Sequence, residues 1–404
     1  MLRVVLALSW VIFLLFASRA IADFNFTLYY LLESALLLFS SLTLLIFYLS
    51  LKHKPEYTKL NKTFCYSIAL CLAISLYPAI AAKVTFNQSI IMGLLVSRVS
   101  LLTTISFFCI YPLTQIKFTA ASIKSATFYF SFILTLTWIL INYALDPLQF
   151  IDTNLVDIRS DGSLRFRLSP FFPTILLAAS LALSSEVQLK KLKIFYYSIS
   201  ILSICYIVFL FRGRTFLVAC AAAYFLYFFR SLIHQNRKII FLTLSFFYLI
   251  AAIYISFNAD SLIRSTSLLA AVFDLDASTS SRINQLNSIG NDLTEHIFFG
   301  NGLLSQQGEI TYESRYGVFY PADLGIFGAI YIYGVVPTVI MLIFLSFIWC
   351  NSFAKNNSKE YTIIFSIYFI YSFVTGVYFI NPFYLLLILM INQIPFSRPP
   401  KITV

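Results

Sequence analysis

The residues able to do chemistry in this sequence are charged ones placed where charge is costly. Arg98 falls inside a long apolar run, and Arg212-Gly213-Arg214 is the whole connection between two others. A guanidinium in hydrocarbon costs about 2.5–3.5 kcal/mol on insertion scales, so it turns to a partner or a wet cavity. For Arg98 one reading is a buried pair with an acid such as Glu33, and the other is an anion site. Arg212 and Arg214 lie nearer an interface, where a long side chain can snorkel. Even so, two guanidinium groups on one tight turn favour a phosphate ligand.

Further candidates stand in two polar stretches. The first, 146–168, reads DPLQFIDTNLVDIRSDGSLRFRL and sets Arg159, Arg165 and Arg167 beside aspartates. The second, 258–319, holds Arg282, Glu313 and Arg315, with Asp323 just beyond it. The plainer reading of each is a solvated charge on a structural lid.

The elements that must position these residues are apolar helices. The 404 residues are 60% hydrophobic and 11% charged, against about 25% charged in soluble domains. Apolar runs long enough for the ~30 Å hydrocarbon core recur from end to end. They fall at about 4–21, 28–51, 63–82, 89–112, 125–145, 168–184, 194–211, 215–229, 239–257, 320–349, 361–378 and 382–395. Because they are continuously apolar rather than alternating, the expected fold is all-α and polytopic, with about twelve transmembrane helices in one integral membrane domain. The run at 215–229 spans only ~22 Å at ~1.5 Å per residue, which would hold the arginine tip below the lipid surface.

Net charge +11 does not imply nucleic acid, because the basic residues recur in alternate loops instead of one patch. Lys52, Lys54, Lys59 and Lys62, then Lys190, Lys191 and Lys193, then Arg230, Arg237 and Lys238, then Lys355 and Lys359 face only Glu56, Glu186 and Glu360. That asymmetry places both termini in the cytoplasm. The start is also compatible with a cleavable signal peptide ending near Ala17-Ser18-Arg19-Ala20-Ile21-Ala22, leaving eleven spans. The six cysteines fall in spans or at their cytoplasmic ends and imply no disulfide framework, and the histidines His53, His234 and His296 are scattered, so a structural metal is not expected.

The 258–319 stretch is too long for a plain turn. After the capping candidates Ser278, Thr279 and Ser280, apolar residues recur at Ile283, Leu286, Ile289 or Gly290, Leu293 and Ile297. This spacing predicts an amphipathic helix lying on the outer membrane face, with Arg282 in its first turn and a stop at Phe298-Phe299-Gly300-Asn301-Gly302.

Three stretches resemble, in order, the O-antigen polymerase and ligase superfamily of bacterial membrane glycosyltransferases. They are Arg165-Phe166-Arg167-Leu168-Ser169-Pro170, then Phe211-Arg212-Gly213-Arg214-Thr215, then Ser281-Arg282 running on to His296-Ile297-Phe298-Phe299-Gly300-Asn301-Gly302. Downstream, Asp323-Leu324-Gly325-Ile326-Phe327-Gly328 and Tyr333-Gly334-Val335-Val336 are similar to the start of the span that follows the family's large periplasmic loop. The resemblance implies a GT-C-like inner-membrane enzyme without a cofactor or metal. Its implied partners are an undecaprenyl-pyrophosphate-linked oligosaccharide and a chain-length regulator. Arg214, Arg282, Arg212 and Asp323 would be the catalytic set. Arg98, Arg159, Arg165, Arg167, Glu313 and Arg315 would hold substrate. Ligases carry a histidine element where this chain has Phe319-Tyr320-Pro321-Ala322-Asp323-Leu324, which favours polymerase over ligase. A lipid-linked oligosaccharide flippase is the rival from another class; transporters tend to carry internal repeats and broken helices, and the two halves show no convincing repeat.

Overall fold

The computed structural model describes residues 2–18, 26–51, 62–111, 117–146, 148, 156–158, 164–166, 169–211, 214–272, 277–305, 311–316, 319, 321–354, 357–375 and 382–393. The apolar runs are helical, as they must be where no water is present to pair the backbone. In chain order they are α1 (Leu2–Ser18), α2 (Phe26–Leu51), α3 (Lys62–Phe86), α4 (Ile90–Val96), α5 (Arg98–Ile110) and α6 (Lys117–Ala144). A hairpin of β1 (Val156–Ile158) and β2 (Leu164–Phe166) follows, then α7 (Phe171–Glu186) and α8 (Lys190–Cys205), which continues as a π-helical turn, Tyr206–Phe211. Next come α9 (Arg214–Phe228), α10 (Arg230–Val272), α11 (Ala277–Ser288), α12 (Gly290–Glu295) and α13 (Tyr312–Tyr316). A 3-10 turn at Pro321–Leu324 leads into α14 (Ile326–Tyr333), α15 (Val335–Ser352), α16 (Lys359–Thr375) and α17 (Phe383–Gln393).

Among the described residues, five stretches are long and apolar enough to cross a membrane: Ser67–Phe86, Ser122–Ala144, Lys190–Phe211, Arg230–Asn258 and Val335–Ser352. The pair α4 and α5, bent by 70°, makes a sixth if it is one span. The chain is therefore a helical membrane protein.

Polar pins and stacked rings fix how the helices lie. Tyr206 at the end of α8 donates to the Ser169 carbonyl before α7 (3.5 Å), so the two run back on one another. Phe216 in the first turn of α9 stacks edge-on against Tyr371 near the end of α16 (5.1 Å). At the opposite end of that pair, Arg230 Nη2 donates to the Ala354 and Asn357 carbonyls (2.8 and 2.9 Å). The bundle thus has one end carrying the starts of α7 and α9, and another carrying Lys190, Arg230 and Lys359. The α1 helix belongs to the core: Trp10, Phe13, Leu14 and Phe16 are fully buried, and the Trp10 indole donates to Thr127 Oγ1 of α6 (2.8 Å).

Four departures from the sequence expectation matter. Stretch 146–168 contains the antiparallel hairpin, with Asp157 opposite Arg165. Its alternating Val156-Asp157-Ile158 and Leu164-Arg165-Phe166 suit a pleated surface. The run at 320–349 is broken at Gly334, and the run at 89–112 bends at Ser97. The α10 helix does not stop at Asn258 but resumes after a non-helical residue there (φ −127°, ψ 20°). Finally, the expected loop helix exists as α11 and α12, but its stripe is not laid on lipid. Leu286, Ile289, Leu293 and Ile297 are buried, with α12 against α10 and α14. It also begins at Ala277, so Ser278, Thr279 and Ser280 sit inside its first turn rather than capping it.

Candidate functional site

The candidate site lies at the α7 and α9 start of the bundle, around the end of α16. Phe171 packs on Tyr368 (4.7 Å) and on Tyr384 of α17 (4.5 Å), and Phe216 reaches both Tyr368 (5.9 Å) and Tyr371. Ser169 Oγ meets the Tyr384 hydroxyl at 3.4 Å. These contacts bring the residues that directly follow two of the three sequence motifs, Phe171 after 165–170 and Phe216 after 211–215, onto one aromatic floor. The 3-10 turn carrying Asp323 also packs against α16, and α11, which carries Arg282, packs against that turn.

The placement of the candidates follows. Arg214 opens α9, Arg165 lies in β2 and pairs in register with Asp157, Glu313 lies in α13, and Asp323 lies in the 3-10 turn; these four are placed by their backbone. Arg159, Arg167 and Arg212 lie outside the described residues. Arg282 is half-buried on α11. Arg98 and Arg315 meet other elements: Arg98 lies by Glu33 and Tyr30 of α2, and Arg315 by Asp292 of α12 and Phe86 of α3.

Arg98 is the first residue of α5, at the bend. Its Nε stands 3.7 Å from Glu33 Oε1 of α2, and its guanidinium lies 5.1 Å from the Tyr30 ring centre. The pairing reading of this residue is the arrangement found. Arg315 is also committed. Its Nε and Nη2 each donate to the Asp292 carboxylate at 2.7 Å, and the Tyr316 hydroxyl donates to the same carboxylate. The bidentate bonds hold the Asp292 carboxyl below its ordinary range, and burial together with that carboxylate pushes the Tyr316 phenol up.

The second of the broken spans shows what the glycine-rich motif does. At Gly334 the helical ladder is interrupted between α14 and α15, which frees carbonyls on one side and amides on the other. The chain at 297–302 supplies the partners. The Asn301 and Gly302 amides donate to the Tyr331 and Ile332 carbonyls (2.7 and 2.9 Å), while the Val335 and Val336 amides donate to the Ile297 and Phe298 carbonyls (2.7 and 3.2 Å). Gly334 has φ 81° and ψ 170°, a region almost confined to glycine, and a Cβ there would lie 2.3 Å from the Phe298 oxygen. Gly302 approaches α3 as closely, since a Cβ on it would meet the Pro78 oxygen at 2.3 Å. On the α3–α4 side, the Tyr77 hydroxyl donates to the Phe299 carbonyl (2.7 Å), and the Gln88 amide both donates to the Leu303 carbonyl and accepts from the Ser305 amide.

Sequence reasoning missed this docking. Its available signals were Pro78 inside an apolar run and Gln88 at a turn, neither of which names a partner more than two hundred residues away. Among the described residues, no group of three or more His, Cys, Asp or Glu is arranged to hold a metal ion. Comparison with protein-family models, with curated proteins and with solved structures finds no match to this chain.

Proposed function

We propose that the protein is a membrane glycosyltransferase that polymerises lipid-linked oligosaccharide repeat units, acting at the outer face of a bacterial inner membrane with both termini in the cytoplasm. The observation that supports this reading is the shared floor of Phe171, Phe216, Tyr368 and Tyr384, which Phe171 and Phe216 enter from just after motifs 165–170 and 211–215, with the Asp323 turn against the same helix. In the reaction, a sugar hydroxyl of one unit attacks the anomeric carbon of the growing chain. The bond from that carbon to the pyrophosphate oxygen breaks, and undecaprenyl pyrophosphate leaves with the electron pair. Arg214, Arg212 and Arg282 offset the charge developing on the pyrophosphate, and Asp323 or Glu313 takes the hydroxyl proton. Arg159, Arg165 and Arg167 hold the glycan. A full complement of about twelve spans in a GT-C-like arrangement suits this role, each apolar run covering the ~30 Å core.

The flippase reading draws support from the two broken helices, since transporters place substrate at such breaks. At Gly334, however, the freed backbone groups pair with residues 297–302 instead of lining a cavity. The discriminating experiment is surface-glycan electrophoresis on cells lacking the gene and complemented with wild type or Arg214→Ala. A core bearing one repeat unit without the gene, with the long ladder restored by wild type alone, supports the polymerase. Carrier-linked polymer with an uncapped core supports the ligase, and neither product supports the flippase.

A further inference from the structure

The proposed reaction makes no use of the other end of the bundle, where α8, α10 and α16 begin at Lys190, Arg230 and Lys359. Along α10, Arg230, His234, Arg237, Phe241 and Tyr248 recur at the spacing of one helix face. Tyr248 and Phe241 attach that face to α15, through the Ser346 hydroxyl (2.9 Å) and the Phe347 ring (5.7 Å). The α15 helix ends at Ser352, and Arg230 reaches past that end to the Ala354 and Asn357 carbonyls. His234 and Arg237 fall between these two attachments. Together with Ser231, Gln235, Asn236 and Lys238 they line a cavity of about 590 Å³.

The lining is cationic. Among the described residues, neither Arg237 nor Lys238 is in an ion pair. The His234 Nδ1 atom is buried without a hydrogen-bond partner, which is costly until a polar group completes it. In line with Lys238 on the next turns, Ile239, Leu242 and Phe246 are 65%, 64% and 64% exposed. Of the five apolar spans, Arg230–Asn258 is also the least covered by the rest of the protein, with 6% of its apolar stretch buried against 28% or more in the others. A ligand that fits both parts of this surface has an anion at one end and hydrocarbon at the other, and in a bilayer that is a phospholipid. A free phosphate ion would meet the cations and leave the apolar flank unused.

We propose that the cavity at the start of α10 binds the headgroup phosphate of an anionic phospholipid, with Arg237 and Lys238 on its oxygens and the acyl chains along Ile239, Leu242 and Phe246. The planar fork of Arg237 suits two phosphate oxygens, and the Lys238 ammonium adds a compact charge beside it. Such a lipid holds the start of α10 at the bilayer surface next to its attachment to α15. The site stands independently of the catalytic reading, which concerns the opposite end of the bundle.

The test titrates full-length protein in a neutral detergent with phosphatidylglycerol at about 0.15 M salt, where diffuse attraction is screened beyond ~8 Å, and counts bound lipid by native mass spectrometry. Saturable binding of phosphatidylglycerol is expected, with phosphatidylcholine, which has no net charge, at least tenfold weaker. A basic residue beside an anionic headgroup changes binding about fivefold, so Arg237→Gln/Lys238→Gln should weaken it about thirtyfold. Lys190→Gln/Lys191→Gln removes as much charge at the same end but outside the cavity, and should change binding less than about threefold. If the first double variant fails to fold, Lys238→Gln alone, on an exposed side chain, should give the fivefold loss. Absence of saturable binding, or equal losses in the two double variants, overturns the cavity as the site. Equal affinity for phosphatidylcholine, or displacement of the lipid by millimolar inorganic phosphate, overturns the anionic phospholipid as its occupant.

Discussion

Gly334→Ala is the substitution whose cost is best defined by the geometry. The backbone at φ 81°, ψ 170° costs an alanine about 1–3 kcal/mol. The new Cβ would lie 2.3 Å from the Phe298 oxygen and 2.4 Å from the Phe299 nitrogen, both backbone atoms, so the docked chain has to move away. Its movement breaks the bonds from the Val335 and Val336 amides to the Ile297 and Phe298 carbonyls, each worth about 0.5–1.5 kcal/mol. Together these come to about 2–6 kcal/mol against the docked state, a shift of roughly thirtyfold or more in the docking equilibrium. Limited proteolysis of purified protein at 297–305 and thermal unfolding in detergent read the effect. Val336→Ala, which trims a neighbouring exposed side chain, is the control and should leave both unchanged. If Gly334→Ala matches the control in proteolysis and melting temperature, the assignment of 297–302 as the partner of the broken span is wrong.

Phe216→Ala should cost about 3–5 kcal/mol, because the ring is fully buried in the first turn of α9; a lowered melting temperature with a shortened ladder is expected. Trp10→Ala should lower stability by a similar amount, read by thermal unfolding, since the indole is buried and bonded to Thr127. Arg98→Gln removes the cation beside Glu33, and an uncompensated charge in a span costs about 2.5–3.5 kcal/mol, so the protein level on immunoblots should fall and recover in the double variant with Glu33→Gln. The Asp292 carboxyl titrates below its ordinary value of 3.8, mainly through the Arg315 hydrogen bonds. Its contribution is therefore present above that value and lost as pH falls through the depressed one. The melting-temperature difference between wild type and Asp292→Asn should be constant from about pH 5 to 8 and shrink only in stronger acid.

The helical membrane character was legible because the apolar runs are long and carry little charge, Arg98 and Glu33 being exceptions. The loop helix was legible too, since Leu286, Ile289, Leu293 and Ile297 keep a helical spacing whether lipid or protein covers them. What covers them was not legible, because periodicity names a buried face without naming its partner. The break at Gly334 was hidden for a related reason: a glycine in an apolar run also occurs in continuous spans, and only its ψ and the approach of Phe298 show the interruption. The hairpin at 156–166 did have a signal, Asp161-Gly162 between alternating segments, which an all-helical expectation passed over. Among the candidate residues, Arg315 was expected to hold substrate, and no local pattern could reveal that Asp292, twenty-three positions earlier, takes up its fork. The convergence of Phe171 and Phe216, just after the two motifs, depends on rings of α16 and α17 that no local pattern connects to either one.

The most direct test of the enzymatic account is reconstitution of purified protein in liposomes with an undecaprenyl-pyrophosphate-linked repeat unit as the sole substrate. Products are read by mass spectrometry, with Arg214→Ala in parallel. The account predicts glycans of two or more units together with freed undecaprenyl pyrophosphate, and a rate about 10²–10³ lower in the variant. Repeat units that cross the bilayer unjoined, or equal polymer from wild type and Arg214→Ala, would contradict it.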